Sequence, residues 1–448
     1  MGHKHSFGQR LTQQVSLFHL LLVFALLTVV VATANAELNL REGGIHLTIS
    51  ATGVRLIEVC LAGPIENAGA PSVEKTREIL EFDLSQSSRF KLIKAEKSHL
   101  RIIRSKNPAI FSRAKSVSKA DVFVVWDASG DDQEFTFNGE VRDSRSGKNI
   151  FSREFKAPMV QQRAILHQFV DEIALMLSGK SGTAHCKIAF VSDWTGHKEL
   201  FTSDYDGHDL RQRTELKSIV LSPAYSPKGD KIAFISFKKN GPVLSILDAV
   251  SGRIDDILSS EGIVAAPSWS PDGRHIALSI SKKGNCDIYL FDVATEQLER
   301  LTYMWSIETS PSFAPNCRSI AFTSDRTGRP QIYIMNIDGS GHRRLTYEGR
   351  HNESPAWSPD GSLIAYTSLQ GNEFRLRLIG PDGDGPYSIV DKALDGEAPA
   401  WSPDGQKILF SSRNGGPHTE LFLVNRDGTG LIKVVSLLGN CTEPTWSP

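Results

Sequence analysis

The chain has 448 residues, 40% apolar and 23% charged, with a formal net charge of −1. That length allows two or three domains with ample core. So even a charge balance argues against nucleic acid or an anionic membrane as the main partner, and five scattered cysteines exclude a disulfide framework.

Lys4 and Arg10 precede an apolar run of 12 residues, Leu20 to Val31, which is followed by Ala34-Asn35-Ala36. A positive start, a short apolar stretch and a small-x-small site predict a signal peptide over residues 1–36, cleaved after Ala36. An uncleaved anchor is the alternative, but the run is short for a membrane span. No later segment is apolar for long enough to cross a bilayer, so an exported protein without direct membrane insertion is expected.

Residues 37–180 alternate strand-like runs with helical spacing. IHLTIS at 45–50, ADVFVVW at 120–126 and FTFNGEVRD at 135–143 read as strands, and 72–84 and 159–177 as helices. In the second helix Ile165, Phe169, Ile173 and Leu177 recur every four residues and mark one buried face. A small mixed α/β domain is predicted, followed by the linker SGKSGTAH. Gly179-Lys180-Ser181 mimics the end of a phosphate-binding loop, but position 174 is Ala and a helix precedes it, so nucleotide binding is not expected.

From residue 181 the chain repeats itself. PAYSPKGDKIAF, PSWSPDGRHIAL, PSFAPNCRSIAF, PAWSPDGSLIAY and PAWSPDGQKILF open at Pro223, Pro267, Pro311, Pro355 and Pro399, each 44 residues after the last, and PTWSP follows at Pro444 after 45. A period of 40–50 residues with β-rich runs such as IAFTS and QIYIMN indicates a propeller rather than a helical array. The aromatic two residues after each proline is a packing wedge. Ser-Pro-Asp-Gly is a tight turn, with Pro fixing φ and Gly accepting positive φ. The strand after the turn begins at Lys187, Lys231, His275, Ser319, Leu363 and Lys407, and the first of these has no aromatic strand before it. CTEPTWSP at the other end supplies the missing partner, so residues 181–448 are predicted to form a six-bladed β-propeller closed by the C-terminal strand.

The loops entering the innermost strands should ring one mouth. Glu308, Glu353, Glu397 and Glu443 each lie one to three residues before an opening proline. They read either as solvated loop acids or as a negative collar for a basic surface or a cation.

Together, the signal peptide, small α/β domain and six PxWSPDGxxIAF repeats resemble the TolB family, the periplasmic component of the Tol-Pal system. The quotable matches are DEIALMLSGKSGTAHCKIAFVSD at 171–193, SDYDG at 203–207, TSDRTGRPQIY at 323–333 and the closing EPTWSP. The resemblance implies a non-catalytic, monomeric periplasmic interaction component that helps maintain the outer membrane and draw it inward at division. It implies that the lipoprotein Pal binds the propeller mouth, with Ile263, Val264 and Ala266 as apolar core. Thr309, His351, Asn352 and Thr442 would then offer hydrogen bonds, and Glu308, Glu353, Glu397 and Glu443 a charged rim. It further implies that TolA binds the segment from Glu37 to about Thr52, including Ile45, His46, Leu47, Thr48 and Ile49. ELNLREGG departs from the family's usual start, and Asn316-Cys317 replaces Asp-Gly in one turn. No cofactor is expected, with a cation at the acidic mouth left open. The rival reading, a propeller hydrolase or a lactonase with a channel metal, lacks both a G-x-S-x-G motif and a matching His/Asn/Asp set.

Overall fold

The computed structural model describes residues 55–65, 71–389 and 395–448. By internal contacts the chain divides into two units between Phe169 and Val170, within the helix Gln162–Ser178. The domain boundary expected from sequence, at residue 180, follows that helix.

The N-terminal unit is built on a five-stranded sheet. Its order is Phe90–Ile93, Ile57–Ala62, Val122–Gly130, Glu134–Asp143 and Asn149–Pro158. The first three strands are parallel and the last two continue antiparallel. Valine-rich VFVVW is buried at every position, as a central strand covered on both faces requires. The helix Pro71–Gln86 buries Val73, Thr76, Ile79, Leu80, Asp83 and Leu84 at three- and four-residue intervals. Its buried Asp83 carboxylate meets the His167 imidazole at 2.7 Å, which satisfies two polar groups inside the core. Gly139 is demanded by packing: a Cβ there would lie 2.3 Å from Cζ of Phe169, whose ring sits edge-on to Phe137 at 4.9 Å.

The second unit contains six four-stranded antiparallel sheets. The innermost strands are Val220–Tyr225, Ile263–Trp269, Glu308–Phe313, His351–Trp357, Glu397–Trp401 and Cys441–Trp446. Each is packed between the innermost strands of its two neighbours, and the last meets the first, so the ring is closed. Closure is made by the C-terminal strand, where Trp446 pairs with Ile188 and Cys441 with Ser192. Ser447 N–H donates to Lys187 O at 2.8 Å, and Lys187 N–H donates to Ser447 Oγ at 2.7 Å. The wedge aromatics also staple blades together: Trp269 and Trp401 indole N–H groups donate to Ala224 O and Ala356 O of the preceding blades, at 3.1 and 2.9 Å.

The repeated turn has the predicted chemistry. Ser270, Ser358 and Ser402 hydroxyls donate to Asp272, Asp360 and Asp404 at 2.6 to 2.7 Å. Gly273, Gly361 and Gly405 take φ between 67° and 74°. Cys317, where the turn departs from Asp-Gly, is forced to φ 57°, a region that suits glycine.

Candidate partner interface at the propeller mouth

Every innermost strand carries an irregularity at one place, just before its opening proline. Ser222, Ala266, Ser310, Ser354, Ala398 and Glu443 all take positive φ between 49° and 53°. All six prolines that follow are buried. Each strand thus bulges where it passes the mouth, and the bulge fixes which neighbouring side chains face in or out.

Counting back from the proline gives the register. The residues three positions before it, Val220, Val264, Glu308, Asn352 and Cys441, are at most 1% exposed and point into the blades. Those two before it, Leu221, Ala265, Thr309, Glu353, Glu397 and Thr442, are half-buried or exposed around the mouth. Four before it, Ile219, Ile263 and Ile307 are 45%, 56% and 56% exposed on three successive blades. The loops joining blades on the same face add Tyr303, Met304 and Trp305, the last 92% exposed. An exposed apolar arc of this kind marks an interaction surface more often than a monomer's ordinary exterior.

Several predicted site residues are placed elsewhere than expected. Val264 is not a contact residue but part of the core between two blades, packed with Ile235, Leu244 and Ile280. Glu308 does not belong to a charged rim. Its carboxylate is fully buried against the Arg326 guanidinium and accepts from Ser306 Oγ at 3.1 Å and Ser324 Oγ at 3.2 Å. Asn352 is buried too, donating to Gln331 Oε1 at 2.9 Å and Glu348 O at 2.7 Å. The physical reason is the period of two: a one-residue offset reverses the side a strand residue faces. Ile263 is exposed, Thr309, His351 and Thr442 are half-buried at the mouth, and Ala266 sits in the bulge.

The collar therefore holds fewer acids than predicted. Glu353 accepts from or pairs with His351 Nε2 at 2.7 Å, and Glu443 caps the Ser222 backbone N–H. Burial, then the nearby charges of Glu353 and Asp395, push the Glu397 carboxyl above the usual carboxylate range. The hydroxyls of Thr323 and Thr367, which pair across from Thr309 and Glu353 on two neighbouring blades, are buried and make no hydrogen bond.

Ile219 and Ile307 were legible by the same 44-residue spacing that singled out Ile263. Trp305 carried no periodic signal, because the loops between blades differ from one another. Ala36, Glu37, Ile45, His46, Leu47, Thr48 and Ile49 lie outside the described residues.

Residues 175–448 match the family described as the TolB beta propeller domain. The chain is 35% identical over 224 residues to a Tol-Pal system protein TolB from Geobacter metallireducens, covering 47% of this chain and 49% of that protein. It is 34% identical over 131 residues to a TolB homolog from Chlorobium chlorochromatii, covering 29% and 30%. The matched part thus spans half or less of these relatives' length. Among solved structures it is similar to TolB from Acinetobacter baumannii, with 26% identity and a TM-score of 0.74, covering 90% of this chain and all of that one.

Proposed function

Since the chain belongs to the TolB β-propeller family, we propose that it is a non-catalytic periplasmic component of a Tol-Pal system, maintaining the outer membrane and its invagination at division. In this reading Pal docks over the propeller mouth and TolA engages the segment 37–52. The observation that supports it is the exposed arc of Ile219, Ile263, Ile307 and Trp305 beside Glu353 and Glu397. An apolar centre with a polar border is the usual anatomy of a protein interface. Exposed aromatic anchors also contribute a large share of binding energy.

The test is Pal binding, followed by surface plasmon resonance, for Ile263→Arg and Trp305→Ala, with melting recorded for each variant. Both should weaken binding at least tenfold while melting like the parent, because each side chain is exposed. Glu353→Gln with Glu397→Gln should mainly slow association and flatten its salt dependence. Parent-like Pal binding in Ile263→Arg and Trp305→Ala would move the interface away from this mouth.

A further inference from the structure

The N-terminal unit contains a cavity of about 590 Å³ that the propeller's role does not use. It opens past the carboxyl ends of the parallel strands Ile57–Ala62 and Phe90–Ile93: Gly63, Pro64 and Ile65 follow the first, Lys94 and Ala95 the second, and all five line it. Crevices at that edge of a parallel sheet are where open α/β folds seat their ligands, and the volume is that of a small-molecule site.

Its lining is amphiphilic. Leu61, Leu92, Ile93 and Leu100 supply apolar wall. Arg77 is held by Glu74 at 3.1 Å, which leaves Lys94 and Lys97 against Glu81, an excess of positive charge. Trp126 adds a second, independent sign. It lines the cavity and is 1% exposed, yet its indole N–H has no hydrogen-bond partner. An unsatisfied buried donor is costly, and a water, an ion or a ligand that brings an acceptor relieves that cost. The indole edge lies against Gly63, where a Cβ would come within 3.2 Å of Nε1, so the absence of a side chain keeps that wall thin.

We infer that this cavity binds a small amphiphile whose apolar body ends in a carboxylate, with one oxygen accepting from Trp126 Nε1–H and the charge balanced by Lys94 and Lys97. Such a group is offered by a medium-chain fatty carboxylate or by the free C-terminus of an apolar peptide.

The probe is decanoate, titrated into the ¹⁵N-labelled protein below its micellar concentration, with decanol and decyltrimethylammonium as controls. The chain has seven tryptophans, and the resonance lost in Trp126→Phe assigns the one in question. The expected result is a saturable downfield shift of that indole N–H by decanoate. Affinity should fall about tenfold in Trp126→Phe, the effect of losing a charge-assisted hydrogen bond. The exposed pair Lys94→Gln and Lys97→Gln should weaken decanoate severalfold and leave decanol unchanged, and folding is not at risk in that variant. A Leu-Leu-Leu peptide with and without C-terminal amidation separates the two sources: tighter binding by the free acid than by decanoate assigns a peptide end, the reverse a fatty acid. No shift of the Trp126 resonance with either acid, or an equal shift with decyltrimethylammonium, overturns the inference.

Discussion

At the scale of single residues, identical side chains in one ring behave differently because of where the backbone aims them. Glu308 is fully buried with Arg326 beside it, whose side chain is only 13% exposed. Glu308→Ala would strand that guanidinium between the Phe322 and Tyr333 rings, 5.5 and 4.8 Å from its carbon. Removing one partner of a buried ion pair costs about 3–5 kcal/mol, so the urea midpoint should fall far, whereas Glu353→Gln should move it little. Glu397 responds to pH in the opposite way from a stabilising carboxylate. Its pKa is raised in the folded chain, so its ionisation opposes folding above the unfolded value, and this penalty fades as pH falls. Glu397→Gln is therefore expected to raise the melting temperature at neutral pH and to match the parent in mild acid. A parent more stable than the variant at neutral pH would contradict that assignment.

At the scale of the element, the innermost strand depends on its bulge. Six non-glycine residues hold positive φ at the same place, each followed by a buried proline. Strain repeated around a ring persists because the packed proline and the strand pairing on both sides over-determine it. Ser354, at φ 52°, is a suitable probe. A β-branched side chain is disfavoured in that region, so Ser354→Val should cost about 1–2 kcal/mol in chemical denaturation. Ser354→Gly should be neutral or slightly stabilising. Equal stability of the two variants would show that the bulge relaxes when substituted.

At the scale of the whole molecule, the ring is held by a strand from the far end of the chain. Deleting residues 441–448 removes the innermost strand of the blade that also contains Lys187–Ser192 and uncovers two edges. It also strips out Trp446, 6% exposed, whose loss alone is worth about 3–5 kcal/mol. A much lower melting temperature and loss of a single cooperative transition are expected by calorimetry. A truncated chain melting within a degree or two of the parent would show that the ring is stable open. If Pal docks over the mouth as proposed, its contacts draw on several blades, and the same truncation should also abolish Pal binding.

The sequence alone determined the blade count, the strand that closes the ring and the turn chemistry, because a 44-residue period repeats the same local physics six times. It also placed the helices near 71–86 and 162–178, where apolar residues recur along one face. It missed the strand Ile57–Ala62, the short strand Phe90–Ile93 and the edge strand Asn149–Pro158, in the last of which the charged residues Arg153, Glu154 and Lys156 hide the alternation. What only the tertiary structure decided is the direction of the residues at the mouth. A bulge adds one residue to the count, and in a strand one residue is the difference between core and surface. Val264, Glu308 and Asn352 therefore belong to the blades, while Ile219, Ile263 and Ile307 are left exposed at the mouth.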